Sequence, residues 1–278
     1  MPELPEVETV ARTLRPHVQS CTITNATLLR ASSLHPLSLP LSQLTGCRIV
    51  DVKRRGKLLK LLLSSSEAQN DLQIVVHLRM TGRLIIKPSN ASPGAYTRLF
   101  FDLANTNGES RLFFDDVRSF GQVFVCTPDI LSQWTFWRTL GPEPLEISEV
   151  DFAARLNGKN KCLKALLLDQ KCVAGIGNIY ADESLFAARL SPLRKASSLS
   201  ESECACLLQC LQDVLTRSIA QCGSSIRDYC DADGNVGAFQ NSFAVYGRGG
   251  QPCQHCGREL LKLRVAGRST VYCPKCQK

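Results

Sequence analysis

Leu4, Val7, Val10, Ala11, Leu14 and Val18 recur at three- and four-residue spacing, so residues 3–18 are expected to form a helix with one apolar face. Pro5 suits the first turn of such a helix, and Glu3, Glu6 and Glu8 place negative charge near its positive end. From about Thr22 to Val125 the period changes. Short runs rich in Val, Ile, Leu and Phe occupy 46–52, 57–63, 72–78, 82–87, 98–103, 110–114 and 122–125, and turn-forming stretches such as 90–94 and 105–108 separate them. Many short strands at this spacing predict an antiparallel sandwich or barrel.

Residues 127–150 are interrupted by Pro128 and by Gly141-Pro142-Glu143-Pro144, and are expected to link two domains. Beyond them the periodicity is helical again, with candidates at 151–156, 162–168, 178–189 and 200–221, the last opened by Ser200 and Glu203 in capping-box spacing. Residues 223–245 are polar and glycine-rich; loops of that length are usually functional or mobile. The expected architecture is α+β and multidomain. It has a helix and β-sandwich over 1–128, a linker over 129–150, helices and a long loop (223–245) over 151–245, and a cysteine-rich module over 246–278.

The length of 278 residues agrees with about two domains. A hydrophobic content of 44% supports packed cores, and no window approaches the ~20 apolar residues of a membrane span. The acidic, proline-rich start lacks the basic and apolar regions of a signal peptide, so a cytoplasmic protein is expected. The net charge of +8 is uneven: residues 246–278 carry seven basic side chains against Glu259, and residues 48–60 carry six against Asp51. Such clusters fit a polyanion, nucleic acid above all, or a solvated basic surface.

Four of the 14 cysteines form the pattern Cys253-x2-Cys256-x16-Cys273-x2-Cys276. Two such pairs can complete a tetrahedron of thiolates around zinc, a closed shell and therefore a structural metal. Between them Leu261, Leu263 and Val265 alternate with polar residues, which predicts a hairpin with Arg268 at or near its tip. The other ten cysteines suit small buried hydrophobes.

Gly175 and Gly177 allow a tight turn before a helix that Asn178 would cap, and a helix N-terminus is an anion site. At the other end of the chain, removal of Met1 would leave Pro2 as a secondary amine. A free α-amine titrates near ~8, so a useful fraction is unprotonated at neutral pH and can attack an electrophilic sugar carbon to form an iminium ion. Glu3 and Glu6 beside it could move protons. The same residues also read simply as a helix start.

These segments resemble, in order along the whole chain, those of the bacterial formamidopyrimidine-DNA glycosylase family. Met1-Pro2-Glu3-Leu4-Pro5-Glu6-Val7-Glu8-Thr9 is similar to its N-terminus, and Gly175-Ile176-Gly177-Asn178-Ile179-Tyr180-Ala181 to its helix-two-turns-helix signature. Arg54-Arg55-Gly56-Lys57, His77-Leu78-Arg79-Met80-Thr81-Gly82, Leu140-Gly141-Pro142-Glu143-Pro144-Leu145, Val245-Tyr246-Gly247-Arg248 and the four-cysteine finger match as well. The resemblance implies a monomeric, bifunctional base-excision repair enzyme. It would excise 8-oxoguanine and formamidopyrimidines from double-stranded DNA and then cut the strand by β,δ-elimination. By motif, Pro2 is the nucleophile at C1′ and Glu3 the acid/base that assists sugar-ring opening, supported by Glu6. Lys57 serves β-elimination and phosphate contact, and Arg268 serves the flanking phosphates and δ-elimination. Arg54 and Asn178 contact DNA. Met80, Arg118 and Phe120 wedge into the step vacated by the flipped nucleotide. Loop 223–245 covers the flipped base, with Ser224, Ser225 and Arg227 as contacts.

Two departures stand out. The wedge reads Asp116-Val117-Arg118-Ser119-Phe120-Gly121, with Val117 and Ser119 where the family has proline and arginine, and Tyr96 stands where a phosphate-contacting histidine is usual. Two other readings remain at this stage: the endonuclease VIII-like branch, which prefers oxidised pyrimidines, and a zinc-containing protein that recognises damage without catalysis.

Overall fold

A computed structural model describes residues 1–64, 71–226 and 229–278. Arg227 lies outside the described residues. The chain divides into two compact units, one of residues 1–138 and 222–238, the other of 139–221 and 239–278.

The first unit opens with helix α1 (Leu4–Val18), started by a reciprocal capping box between Glu3 and Glu6 with Pro5 in the first turn. Eight antiparallel strands follow: β1 (Thr22–Leu28), β2 (Arg48–Arg55), β3 (Leu58–Ser64), β4 (Gln73–His77), β5 (Gly82–Pro88), β6 (Thr97–Asn105), β7 (Gly108–Asp116) and β8 (Gln122–Cys126). Their order is β5-β7-β6-β1-β2-β3-β4-β8, and β1 meets β2 through the single pair Thr22↔Arg48. That narrow seam joins two four-stranded halves. One apolar cluster draws on both halves and on the inner face of α1, with Val7, Val10, Leu14, Ile49, Leu61, Ile74, Leu99, Phe101, Phe114 and Val123 all in it. This is a sandwich core, and Leu14 at 0% exposure is typical of it. Strand β1 is the element that periodicity did not reveal: its sequence Thr-Ile-Thr-Asn-Ala-Thr-Leu is polar, mostly half-buried or exposed, and its register against β6 shifts between Ile23 and Asn25.

The stretch expected as a linker contains two short helices, α2 (Pro128–Gln133) and α3 (Thr135–Arg138). Their Leu131, Trp134, Phe136 and Trp137 pack with Leu58, Val75 and Phe124 in a second, smaller cluster. Residues 222–238 cluster with this unit and not with the helices that precede them. They are tied to α1 along its length by the Thr13 hydroxyl accepting from Ala232 N–H at 3.2 Å and by His17 Nε2 at 2.7 Å from Asp233 Oδ1.

The second unit contains α4 (Glu149–Leu156), α5 (Leu163–Leu168), α6 (Asn178–Ala187) and α7 (Glu201–Ala220), then the hairpin β9 (Leu261–Val265) and β10 (Arg268–Tyr272). The Ser200–Glu203 capping box starts α7, as the spacing predicts. Helix α6 is buried nearly all round, and the Tyr180 hydroxyl meets Ser218 Oγ of α7 at 2.7 Å. Ala266 and Gly267, both at positive φ, form the two-residue hairpin turn, a geometry that glycine tolerates best.

His77, on β4, is 5% exposed, and its Nδ1 accepts from the Arg79 N–H at 3.1 Å, which requires a neutral ring. Burial, and then the charges of Arg79 and Lys57, push it down to about 3. A base with a depressed folded value contributes stability that is whole above pH ~6.5 and is lost as pH falls toward 3. Urea unfolding of the wild type should therefore lose stability across that window, with a limiting slope of about 1.4 kcal/mol per pH unit from this group. His77→Gln should flatten the fall, and an unchanged slope would count against the assignment.

Candidate functional site

The N-terminus is fixed by its own sequence. Pro2, Glu3 and Glu6 are all buried. The Glu3 backbone N–H donates to Glu6 Oε2 at 2.8 Å, while the Glu3 carboxylate takes the backbone N–H of Glu6. Glu6 Oε1 accepts from both the N–H and the hydroxyl of Ser224, at 2.8 and 2.9 Å. The Tyr229 hydroxyl donates to the carbonyls of Glu6 and Cys222, at 3.3 and 3.2 Å, and burial raises its phenol above the usual range. Gly223 sits at φ +76°, and a Cβ there would lie 3.0 Å from the Glu6 side chain; a Cβ on Gly237 would strike the backbone of Cys222 and Gly223. Gly223 thus lets the backbone approach Glu6, and Gly237 lets it approach Cys222 and Gly223. Ser225 is also engaged: its hydroxyl donates to the Tyr229 carbonyl and accepts from the Gly237 N–H.

Lys57 follows Gly56, which takes φ +56° in the turn between β2 and β3. It is 6% exposed, and its charge reaches His77, the neighbour of Leu58 across β3 and β4. Arg54 is turned inward: its Nε lies 2.9 Å from Glu8 Oε2, and its side chain is 7% exposed. The two guanidinium groups of Arg12 and Arg54 hold Glu8 below the usual carboxylate value, against the opposing effect of burial.

Met80, Arg118 and Phe120 come together on the surface of this unit. The Arg118 guanidinium lies 4.7 Å from the Phe120 ring centroid, and its Nη1 approaches Met80 Sδ at 2.9 Å. Met80 and Phe120 are 41% and 53% exposed, unusually open for such side chains. Asp116, which sequence reasoning did not single out, organises the turn. It accepts from the Thr81 hydroxyl, from the Arg118 N–H at 3.2 Å and from the Gly121 N–H at 2.7 Å. Its place as the acid that opens the Asp116–Gly121 motif was the available signal. Ser119 occupies the left-handed region at φ +56°. Tyr96 is exposed, and its carbonyl accepts from the Asp116 N–H at 2.9 Å, so it adjoins the same turn.

In the second unit Asn178 does not cap α6: Gly177 is the N-cap and Asn178 the first helical residue. Its amide donates to the Ser269 carbonyl at 2.9 Å, which sets it beside Arg268 at the start of β10. Ser269 O also accepts from Lys164 Nζ at 3.0 Å. Lys164 is fully buried, 2.6 Å from Asp182 Oδ1, and donates as well to Thr270 Oγ1 at 2.7 Å. A lone lysine in the apolar run Leu-Lys-Ala-Leu-Leu-Leu was the sign of this partner.

Cys253, Cys256, Cys273 and Cys276 bring their sulfurs within 4.8 Å of one another, with Cys253–Cys276 at 3.9 Å and Cys256–Cys273 at 3.5 Å. A tetrahedron with Zn–S of about 2.3 Å has edges near 3.8 Å, so the four thiolates fit zinc. Four sulfurs close the shell, and the metal is structural. His255 stands aside, stacked on Phe186 of α6 with centroids 5.1 Å apart.

A helix-led antiparallel sandwich, a helical unit with a glycine turn and a four-thiolate finger are together an architecture that this chain shares with base-excision repair DNA glycosylases acting on damaged DNA. Family models match residues 1–123 (formamidopyrimidine-DNA glycosylase N-terminal domain), 140–230 (formamidopyrimidine-DNA glycosylase H2TH domain) and 250–278 (zinc finger found in FPG and IleRS). The formamidopyrimidine-DNA glycosylase of Carboxydothermus hydrogenoformans is 44% identical, with all of both chains covered. The crystal structure of the MutM (Fpg) protein of Thermus thermophilus superposes with a TM-score of 0.86 at 40% identity, covering 99% of this chain and 98% of that one. The Lactococcus lactis Fpg in complex with DNA containing an abasic site gives 0.87 at 34%, covering 99% of each chain. The chain belongs to the formamidopyrimidine-DNA glycosylase family. Among the described residues no helix is long and apolar enough to cross a membrane.

The purified protein should carry about one zinc per chain by elemental analysis. Stripping it, or Cys273→Ser, should expose the cluster of Phe186, Val245, Leu260 and Val271 packed against the finger, read as a rise in dye binding. A finger that keeps its fold without metal would contradict a structural zinc.

Proposed function

We propose that the protein is a bifunctional DNA glycosylase and AP lyase that removes oxidised purines, 8-oxoguanine and formamidopyrimidines, from duplex DNA. The observation that carries this reading is Pro2, at the head of a capped helix beside two buried carboxylates. While Met1 is present, the Pro2 nitrogen is an amide; removal of Met1 converts it to a secondary amine. That amine attacks C1′ of the damaged nucleotide as the base departs with a proton. Glu3 serves proton transfer as the sugar ring opens and the iminium forms. The iminium accepts the electron pair released when a C2′ proton is lost, and β-elimination expels the 3′ phosphate. A second elimination expels the 5′ phosphate, with Lys57 and Arg268 neutralising the phosphates that leave. Glu6 positions Glu3 and Ser224. Asn178, Tyr96 and Arg54 serve the DNA backbone; Arg54 does so through the β2 terminus that its pair with Glu8 holds.

The exposed trio Met80, Arg118 and Phe120 suits insertion into a duplex step after base flipping, since a thioether, a guanidinium and an aromatic ring can replace lost stacking. Its clustering supports a duplex substrate over a free nucleoside. Relatives support the substrate class: another MutM structure, 34% identical to this chain, holds carbocyclic 8-oxo-G containing DNA, and a Lactococcus lactis FPG mutant holds Fapy-dG containing DNA. A second reading, oxidised pyrimidines, is favoured by the wild-type Lactococcus lactis Fpg, whose complex contains oxidised-pyrimidine DNA. The protein acts as a monomer, in the cytoplasm.

Borohydride trapping on a duplex with 8-oxoguanine opposite cytosine should give a covalent adduct that disappears in Pro2→Gly or when Met1 is retained. Folded, zinc-loaded protein that gives no adduct would leave only a non-catalytic damage binder. A faster reaction on thymine-glycol duplex would select the pyrimidine reading.

Ser119 and Tyr96 each withhold a cation from the backbone contacts. Ser119→Arg should tighten duplex binding and steepen its dependence on log salt by about 0.9, the increment for one added phosphate contact, without changing single-turnover chemistry. An unchanged slope would mean that position 119 does not face phosphate.

A further inference from the structure

The second unit has a basic depression that none of the roles above uses. It encloses about 670 Å³, within the range of small-ligand sites. Its walls come from the end of α4, from the loop 157–161 and from the turn after α5. Arg155, Lys159, Lys161 and Lys171 line it with Asn160, and the one acidic side chain in its lining is Asp169. All four cations are exposed.

Among the described residues, one of these four cations, Lys161, meets a carboxylate. Arg155 Nη1 is held by the carbonyls of Lys171 and Cys172, at 3.1 and 3.3 Å, which fixes the guanidinium but leaves its charge. Lys161 Nζ reaches Asp169 only at 3.9 Å, and Asp169 already accepts the Lys171 N–H at 3.0 Å. Among the described residues, Lys159 and Lys171 have no side-chain ion pair or hydrogen bond. Arg155, Lys159, Lys161 and Lys171 share the lining of this one depression, and the first three, with Asp169, lie near enough to the buried thiol of Cys172 to act on it. Four like charges this close repel one another, and a fold that keeps them gathered in a concavity is matched to an anion of several charges. Guanidinium and ammonium donors with a side-chain amide suit phosphate oxygens in particular.

We propose that this depression, whose lining includes neither Asn178 nor Arg268, is a binding site for a phosphate-bearing polyanion. Two sources offer that chemistry: phosphates of the DNA backbone away from the lesion, and a free polyphosphate. The DNA source rests on the function proposed above, and the free source does not.

The test uses zinc-loaded full-length protein, a triple variant Lys159→Gln, Lys161→Gln, Lys171→Gln, and a charge-matched control with Arg30→Gln, Lys87→Gln, Arg217→Gln, three exposed cations outside both basic clusters. In one arm inorganic tripolyphosphate is titrated calorimetrically at low salt. One-site binding that weakens at least 10-fold in the triple variant and not in the control establishes the free source. In the other arm, undamaged duplexes of 12 and 30 base pairs are bound across a salt series. A slope on the longer duplex that falls by one to three in the triple variant, at about 0.9 per lost contact, and stays constant in the control establishes the backbone source. If the triple variant and the control behave alike in both arms, the depression is a solvated surface and the proposal falls. Neither arm involves base excision, so this outcome is distinct from a failure of borohydride trapping.

Discussion

The carboxylate of Glu6 is 1% exposed, and both of its oxygens are committed. Oε2 takes the Glu3 N–H, which starts α1 and fixes the direction in which the first residues leave the helix; Oε1 takes the N–H and hydroxyl of Ser224. A buried carboxylate is costly unless its lone pairs are filled, so the start of α1 and Ser224 are held together. Everything proposed for Pro2 depends on this. A nucleophile at a chain terminus would normally fray, because terminal residues make few contacts. Here the capping box, the Ser224 contacts and the close approach permitted by Gly223 and Gly237 remove that freedom, and the entropy of ordering the terminus is met during folding and not during reaction.

The second unit applies the same logic to a carbonyl. Ser269 O receives Lys164 and Asn178 together, from α5 and from the start of α6. The Lys164–Asp182 pair, both fully desolvated, makes that junction rigid, since removing either partner would leave an isolated buried charge. Zinc holds the other end of the hairpin through its four thiolates. Arg268 therefore projects from a strand fixed at both ends, which is the condition for meeting a phosphate at a set distance.

The wedge trio shows how a departure in sequence is absorbed. Val117 and Ser119 stand where the resemblance leads one to expect proline and arginine, and Met80, Arg118 and Phe120 meet around them. Asp116 supplies the order: its side-chain oxygens hold Thr81, Arg118 and Gly121, and the Tyr96 carbonyl takes its N–H. Ser119 accepts a left-handed backbone to complete the turn.

Much of this was legible in the chain itself, for reasons that differ by element. Helix α1, strands β2 to β8, the capping box of α7 and the cysteine hairpin follow from short-range rules of periodicity, capping and ligand spacing, and each was expected close to where it lies. Strand β1 was not, because its stability comes from pairing with distant β6 and not from its own apolar pattern. Asn178 has the composition of a cap, but Gly177 takes that position and frees the amide for Ser269. The inward turn of Arg54 toward Glu8, the hub at Asp116, the attachment of residues 222–238 to α1 and the gathering of Arg155, Lys159, Lys161 and Lys171 all depend on contacts between segments far apart in sequence or on the path of a loop. The sequence by itself determined which residues could do chemistry and which local elements would carry them, since propensity and spacing act over a few residues. Only the tertiary structure decided which charges are paired, which are buried and which are left open to a ligand, because burial and desolvation belong to the packed chain and not to any segment of it.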